Sequence, residues 1–158
     1  MAARVITSVE EWKQAVGEEL GIGDWVEITQ DRVNQFAECT GDHQWIHVDV
    51  ERAKASPFGG TIAHGYLTLS LAGMLGRGGE RKIEVQVPSR MGINYGLNKV
   101  RFTAPVKVGK RVRSRRKIVA VEEVAPKVIQ VTTQVTVEIE GEDKPAMVAE
   151  TLARTYLQ

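Results

Sequence analysis

Between residues 129 and 139 apolar and polar side chains alternate without interruption. Ile129, Val131, Val135, Val137 and Ile139 fall on one side, with Thr133 among them; Gln130, Thr132, Gln134, Thr136 and Glu138 fall on the other. A period of two belongs to a β-strand, and one wet side belongs to an antiparallel sheet covered on its other face. Residues 111–121 and 146–157 read as the neighbouring strands, and 90–102 supplies one or two more. Gly141-Glu142-Asp143 predicts the hairpin turn before the last strand.

The first half carries helical spacing instead. Ser8 and Glu11 form a capping-box pattern, predicting a helix that runs to Leu20 and stops at Gly21. Trp25-Val26-Glu27-Ile28 reads as a short strand. Thr29 caps a second helix, with Val33, Phe36, Ala37 and Thr40 on one face, which delivers the chain to Gly41-Asp42. Asp49 caps a short helix through Lys54, ended by Pro57. Residues 62–75 are apolar nearly all round, with Tyr66, Leu67, Leu69, Leu71, Met74 and Leu75, and Gly76, Gly78 and Gly79 follow. A helix without a polar face belongs in an interior. One long buried helix with an antiparallel sheet of four to six strands is an α+β architecture.

Length and composition narrow this further. A chain of 158 residues without repeat or linker suits one domain, 1–158, able to bury a real core. The net charge of +1 gives no general pull toward nucleic acid, and the basic stretch at 111–117 lacks interleaved aromatics. Cys39 is the single cysteine, which excludes an internal disulfide and fits a reducing compartment. The start lacks the apolar core of a signal peptide, and no run approaches the roughly 20 apolar residues of a membrane span. The expected location is the cytoplasm.

The chemistry concentrates between Gly41 and Gly65, which holds all three histidines. Asp42 and His47 are five residues apart, off a common helix face and on opposite faces of a strand. They converge on one water only if the chain between them is irregular, and Gly41 permits such a turn. From spacing alone, a structural pair is as good a reading: Asp42 as a helix cap and His47 bonded to backbone.

The longer string decides between them. Gly41-Asp42-x-Gln44-x-Ile46-His47-x-Asp49, then Ala53, Phe58-Gly59 and Ile62-Ala63-His64-Gly65 opening an apolar helix, resembles the signature of MaoC-like (R)-specific enoyl-CoA hydratases, closest to the single-domain bacterial members and the NodN-like group. The segment 93–102 followed by Pro105-Val106-x-Val108-Gly109 resembles the same group. The resemblance implies a hot-dog fold, an antiparallel sheet wrapped around a long central apolar helix. It implies reversible syn addition of water to a trans-2-enoyl thioester, giving an (R)-3-hydroxyacyl thioester, with Asp42 and His47 as the acid–base pair. The thioester carrier is coenzyme A or acyl carrier protein. No cofactor is expected, because coenzyme A enters as part of the substrate. A homodimer is implied, with two units making one continuous sheet. The helix N-terminus at His64-Gly65 would face the thioester oxygen, and Ser70 matches a pocket serine or threonine of the family. A hot-dog thioesterase and a non-catalytic acyl-CoA-binding subunit stay as alternatives.

Other residues carry readings of their own. His64 is more suited to lining or supporting the pocket than to proton transfer. Ser70 can bond back to the Tyr66 carbonyl. Asp49 reads as a cap, Trp45 and Phe58 as core or pocket wall, and Cys39 as an inert buried thiol. His43 and His47 beside Asp42 and Asp49 have metal-like spacing, but Gly41 and the Trp45-Ile46 pair argue against a continuous helix there, so no metal is expected. On a strand, Arg111, Arg113, Arg115 and Lys117 share one face, read as a solvated sheet surface. Lys99 and Arg101 are the better candidates for coenzyme A phosphates.

Overall fold

The computed structural model describes residues 2–158. In chain order the elements are β1 (Arg4–Ile6), α1 (Val9–Gln14), β2 (Glu19–Ile22), β3 (Val26–Glu27), α2 (Gln30–Thr40), α3 (Trp45–Val48), α4 (Val50–Lys54), α5 (Gly65–Leu71), a 3-10 turn (Met74–Gly76), β4 (Glu80–Arg81), β5 (Ile83–Val85), β6 (Ser89–Arg101), β7 (Arg111–Ala125), β8 (Val128–Ile139) and β9 (Met147–Leu157). Seven strands make one antiparallel sheet in the order β4-β2-β7-β8-β9-β6, with β3 also pairing to β7. β1 and β5 form a separate parallel pair.

The alternating segment is the middle of this sheet. β8 pairs with β7 on one side, Val137 opposite Ser114, and with β9 on the other, Val135 opposite Ala149. Its apolar side feeds two clusters on the covered face. One gathers Val112, Val137 and Met147 under α2 and α5, with Val33, Leu67 and Leu75. The other gathers Ile118 and Ile129 under α1, with Ile6, Trp12 and Ile83. Each fully buried Val, Leu or Ile contributes about 1.5–3 kcal/mol, so this face holds the helices in place. Helix starts follow their caps: Ser8 accepts from Glu11 N–H at 3.2 Å, Thr29 from Arg32 N–H at 3.2 Å and Asp49 from Arg52 N–H at 3.0 Å.

The structure corrects several expectations. The first helix ends at Gln14 rather than Leu20. Gly17, at φ +92°, turns the chain and donates to the Ile118 carbonyl, so Glu19–Ile22 joins the sheet edge as β2. The central helix is α5, far shorter than 62–75, because the chain before it is spent on sheet contacts. Ile62 bridges to Lys107, and Ala63 N–H donates to the Val106 carbonyl. Nor is α5 covered all round: Leu67 and Thr68 face the sheet, while Tyr66 is 70% exposed and Ser70 is exposed. Cys39 is exposed rather than buried, because it sits off the Val33–Ala37 face of α2. Among the described residues no helix is long and apolar enough to cross a membrane.

Candidate active site

Gly41 ends α2 in the left-handed region at φ +80°, where its N–H closes on the Ala37 carbonyl at 2.8 Å. A side chain here would be strained, so glycine is what lets the chain leave α2 sharply. Asp42 follows, exposed, with its Oδ1 accepting from Gln44 N–H at 3.3 Å. The single helical turn α3 then carries His47 inward. The path from Asp42 to His47 is thus coil followed by one turn, the irregularity that five-residue convergence requires.

His47 is buried, and its Nδ1 lies 2.7 Å from the Ile62 carbonyl. A carbonyl only accepts, so Nδ1 carries the proton and Nε2 of neutral His47 holds a free lone pair. The backbone of α3 is braced in turn. Gln30 Nε2 donates to the His47 carbonyl at 2.8 Å, and Thr61 Oγ1 donates to Gln30 Oε1 at 2.6 Å. His64 lies beneath the pair, 3% exposed. Its Nε2 donates to the Asp42 backbone carbonyl at 2.9 Å, its ring stacks on His47 with centroids 3.9 Å apart, and Phe36 closes the far side at 5.0 Å. Its Nδ1 is buried without a partner. Burial holds the His47 imidazole below its ordinary pKa; His64 pushes the same way, while the Ile62 carbonyl and Asp42 oppose. His47 is therefore neutral near pH 7.

The ligating atoms of Asp42, His47 and His64 all lie within 4.8 Å of one another. One water about 2.8 Å from each of two groups spans such a gap. For a metal ion the set is poor, since His64 commits one nitrogen to Asp42 and has the other buried.

The remaining candidates spread out from this point. Gly65 opens α5, which has no side-chain cap, so its first N–H groups lack side-chain partners. Its lack of a side chain answers to packing: a Cβ there would meet the Phe102 ring at 2.8 Å. Ser70 Oγ donates to the Tyr66 carbonyl at 2.7 Å, and Ser70 also lines a cavity of about 610 Å³ between α5 and the sheet. Lys99 and Arg101 are exposed at the end of β6, three residues and one residue before Phe102. Asp49 caps α4, Trp45 stacks under the Arg52 guanidinium at 4.2 Å, and exposed His43 pairs with Glu38 at 2.7 Å. The outward basic residues of β7 are largely paired within the sheet surface: Arg111 with Glu140, Arg113 with Glu138, and Arg115 with Glu138 and Glu19.

Sequence reasoning missed Gln30 and Thr61. Their contacts join residues 17 and 31 positions apart, and no local pattern marks them. It also missed that Arg116 faces inward, although strand parity carries that signal.

An antiparallel sheet packed on a short helix, with His64 at the helix start touching both Asp42 and His47, is a hot-dog arrangement, and the chain's relatives place it among the hydro-lyases. More particularly, the chain belongs to the MaoC like domain family, whose profile matches residues 11–140. It is 52% identical over 151 residues to the 3-hydroxyacyl-thioester dehydratase Z of Mycobacterium tuberculosis (strain ATCC 25618 / H37Rv), covering 96% of this chain and 97% of that one. It is 48% identical over 135 residues to Nodulation protein N of Rhizobium leguminosarum bv. viciae, covering 85% and 82%. Among solved structures, an (R)-hydratase from A. caviae involved in PHA biosynthesis superposes with a TM-score of 0.66 at 26% identity, covering 90% of this chain and 96% of that one.

Proposed function

We propose that this protein is an (R)-specific 2-enoyl-CoA hydratase, adding water syn across the double bond of a trans-2-enoyl thioester and catalysing the reverse dehydration. The observation that carries the reading is the tautomer of His47. With Nδ1–H held by Ile62, the Nε2 lone pair is the atom left to face Asp42. In hydration, the Asp42 carboxylate takes a proton from the bound water as its oxygen attacks the β carbon, while the His47 Nε2 lone pair holds the water's other O–H. The same proton passes from Asp42 to the α carbon. Dehydration runs these transfers backwards: the Asp42 carboxylate removes the α proton and returns it to the departing hydroxyl, whose O–H His47 Nε2 holds. One proton is taken and returned in each direction, so the pair ends as it began. General acid–base help of this kind contributes roughly 10²–10⁴-fold.

Charge develops on the thioester oxygen in either direction, and the Gly65 N–H at the mouth of α5 is the donor proposed for it. The acyl chain follows α5 along the cavity between that helix and the sheet, and exposed Lys99 and Arg101 are the proposed contacts for the coenzyme A phosphates. The chemistry uses no cofactor. The (R) outcome is supported by the similarity to an (R)-hydratase, and the reaction class by the dehydratase name of the mycobacterial relative. A homodimer is supported by β6, an edge strand of 13 residues paired on one side to β9 and exposing Met91, Ile93, Tyr95 and Leu97. Unpaired edges of that length normally find a partner.

The test is turnover of trans-2-enoyl-CoA by Asp42→Asn, His47→Gln and the double variant, with chiral analysis of the product. Each single change should cost at least about 10²-fold in kcat, and the double should be little worse, since residues acting as a unit are non-additive. Near-native turnover by either variant, or an (S) product, would overturn the proposal. Release of free thiol instead of hydration would point to a thioesterase.

A further inference from the structure

β7 separates its side chains by parity. Arg111, Arg113 and Arg115 point outward into ion pairs, while Val112, Ser114 and Ile118 are buried on the covered face. Arg116 falls in the second set. It stands opposite Val135 of β8, between the cluster that holds Val112 and the cluster that holds Ile118. A guanidinium in such a place is costly unless paired. Arg116 makes one hydrogen bond, from an Nη to the Gly76 carbonyl at 2.8 Å, and its Nε is buried without a partner. The guanidinium is packed so closely that a Cβ on Gly76 would lie 2.4 Å from Nε. Burial, and after it the like charge of Arg81, hold its pKa below the ordinary guanidinium value. Capping the 3-10 turn explains one donor. It does not explain an unpaired cation on the core side of a sheet.

Arg116 does border open space. With Ser70, Gly73, Asn94, Thr133 and Thr151 it lines the cavity of about 610 Å³ beside α5. Gly73 is eight residues beyond Gly65, about 12 Å along a helix axis. The cavity's own lining does not include Asp42 or His47; it adjoins the later residues of α5, so an acyl chain directed from the proposed pair along that helix would reach a space walled by apolar Leu69, Leu97 and Val135 and by the Arg116 cation with its hydroxyl and amide neighbours.

We propose that Arg116 anchors a carboxylate at the far end of the acyl chain, so that the preferred substrates are ω-carboxyacyl thioesters rather than methyl-ended ones. The assignment rests on the hydratase reading for the direction in which the chain lies. A carboxylate supplies the missing counter-charge and accepts from the Nη that makes no hydrogen bond within the protein, a charge-assisted pairing that a guanidinium favours.

The experiment is calorimetric binding of saturated, unreactive acyl-CoA thioesters in matched pairs, methyl-ended and ω-carboxylate-ended, over a series of chain lengths. At the length that spans the cavity, the wild type should bind the carboxylate-ended partner about tenfold or more tightly, the worth of a charge-assisted hydrogen bond. Arg116→Met should reverse that ratio, and Arg116→Lys should keep part of it. A wild type that prefers the methyl-ended partner at every length overturns the proposal without needing any variant. Equal weakening of both partners by Arg116→Met reduces Arg116 to a cap of the 3-10 turn. Weakened binding of free coenzyme A in the same variant would make this a phosphate site and equally overturn it. Turnover of the short crotonyl-CoA, which ends well before Arg116, tests the hydratase reading separately.

Discussion

His64→Phe separates support of the proposed Asp42–His47 pair from simple packing. Phenylalanine keeps a ring stacked on His47, now at 3.9 Å, and against Phe36. It removes the 2.9 Å hydrogen bond to the Asp42 carbonyl and also the buried, unpartnered Nδ1. Loss of the bond costs about 1 kcal/mol, and loss of an unsatisfied buried acceptor returns a similar amount. Net stability should change by less than about 1 kcal/mol, a Tm shift of no more than about 2–4 °C for a domain of this size. Activity should respond far more. Freed at its carbonyl, Asp42 drifts from the water it shares with His47, and misplacement of about 1 Å costs on the order of 10²-fold. Steady-state kinetics with a trans-2-enoyl-CoA should show kcat down about 10- to 100-fold with KM nearly unchanged, the mark of an interaction needed only in the transition state. His64 also disfavours protonation of His47, so its removal should move the acid limb of the kcat/KM profile to higher pH. A variant with native kcat, an unmoved acid limb and a lowered Tm would refute the reasoning and leave His64 a packing residue.

The folded protein holds His47 below the ordinary imidazole value of 6.5. As pH falls through that value the unfolded chain binds a proton first, so stability is full above it and is lost toward the lower pKa of the folded state. Denaturation midpoints measured across this range should therefore slope less in His47→Gln than in the wild type; equal slopes would mean His47 is not desolvated. The exposed His43–Glu38 pair acts in the opposite sense in both proteins and cancels from the comparison. Gly65→Ala should destabilise by about 1–3 kcal/mol through overpacking against Phe102, and Phe102→Ala should remove most of that penalty in a double-mutant cycle. Additive effects would show that the glycine is needed for something other than this ring. Sedimentation should find a dimer for the wild type and a monomer after Ile93→Lys with Leu97→Lys on β6; a monomeric wild type at micromolar concentration would remove the assembly from the reading.

What could be read in the chain follows the range of the interactions involved. The β7–β8–β9 meander and the α2 cap were legible because alternation and capping are local. β2 was not, because Glu19–Ile22 becomes a strand only through its partners, Arg115–Lys117 on one side and Glu80–Arg81 on the other. The length of α5 was misjudged because apolar content marks burial, not helix, and Ile62 and Ala63 are buried as extended chain. Asp42 and His47 were singled out by their surrounding motif, and the structure brings them close together, while the Thr61–Gln30 brace on the His47 carbonyl is purely tertiary.

The basic stretch shows how one sequence feature can hold two. Taken together, its residues suggest a solvated face, and for Arg111, Arg113 and Arg115 that is what the ion pairs with Glu140, Glu138 and Glu19 make it. Parity alone puts Arg116 on the opposite side, between Ser114 and Ile118, both fully buried. The outward arginines are neutralised by Glu140, Glu138 and Glu19 and offer little to a ligand. The inward one has no glutamate, borders the cavity, and stands beside a glycine whose missing side chain makes its room. An uncompensated charge is tolerated where something intermittent compensates it, and along an acyl-binding wall the visitor that does so is the far end of the substrate.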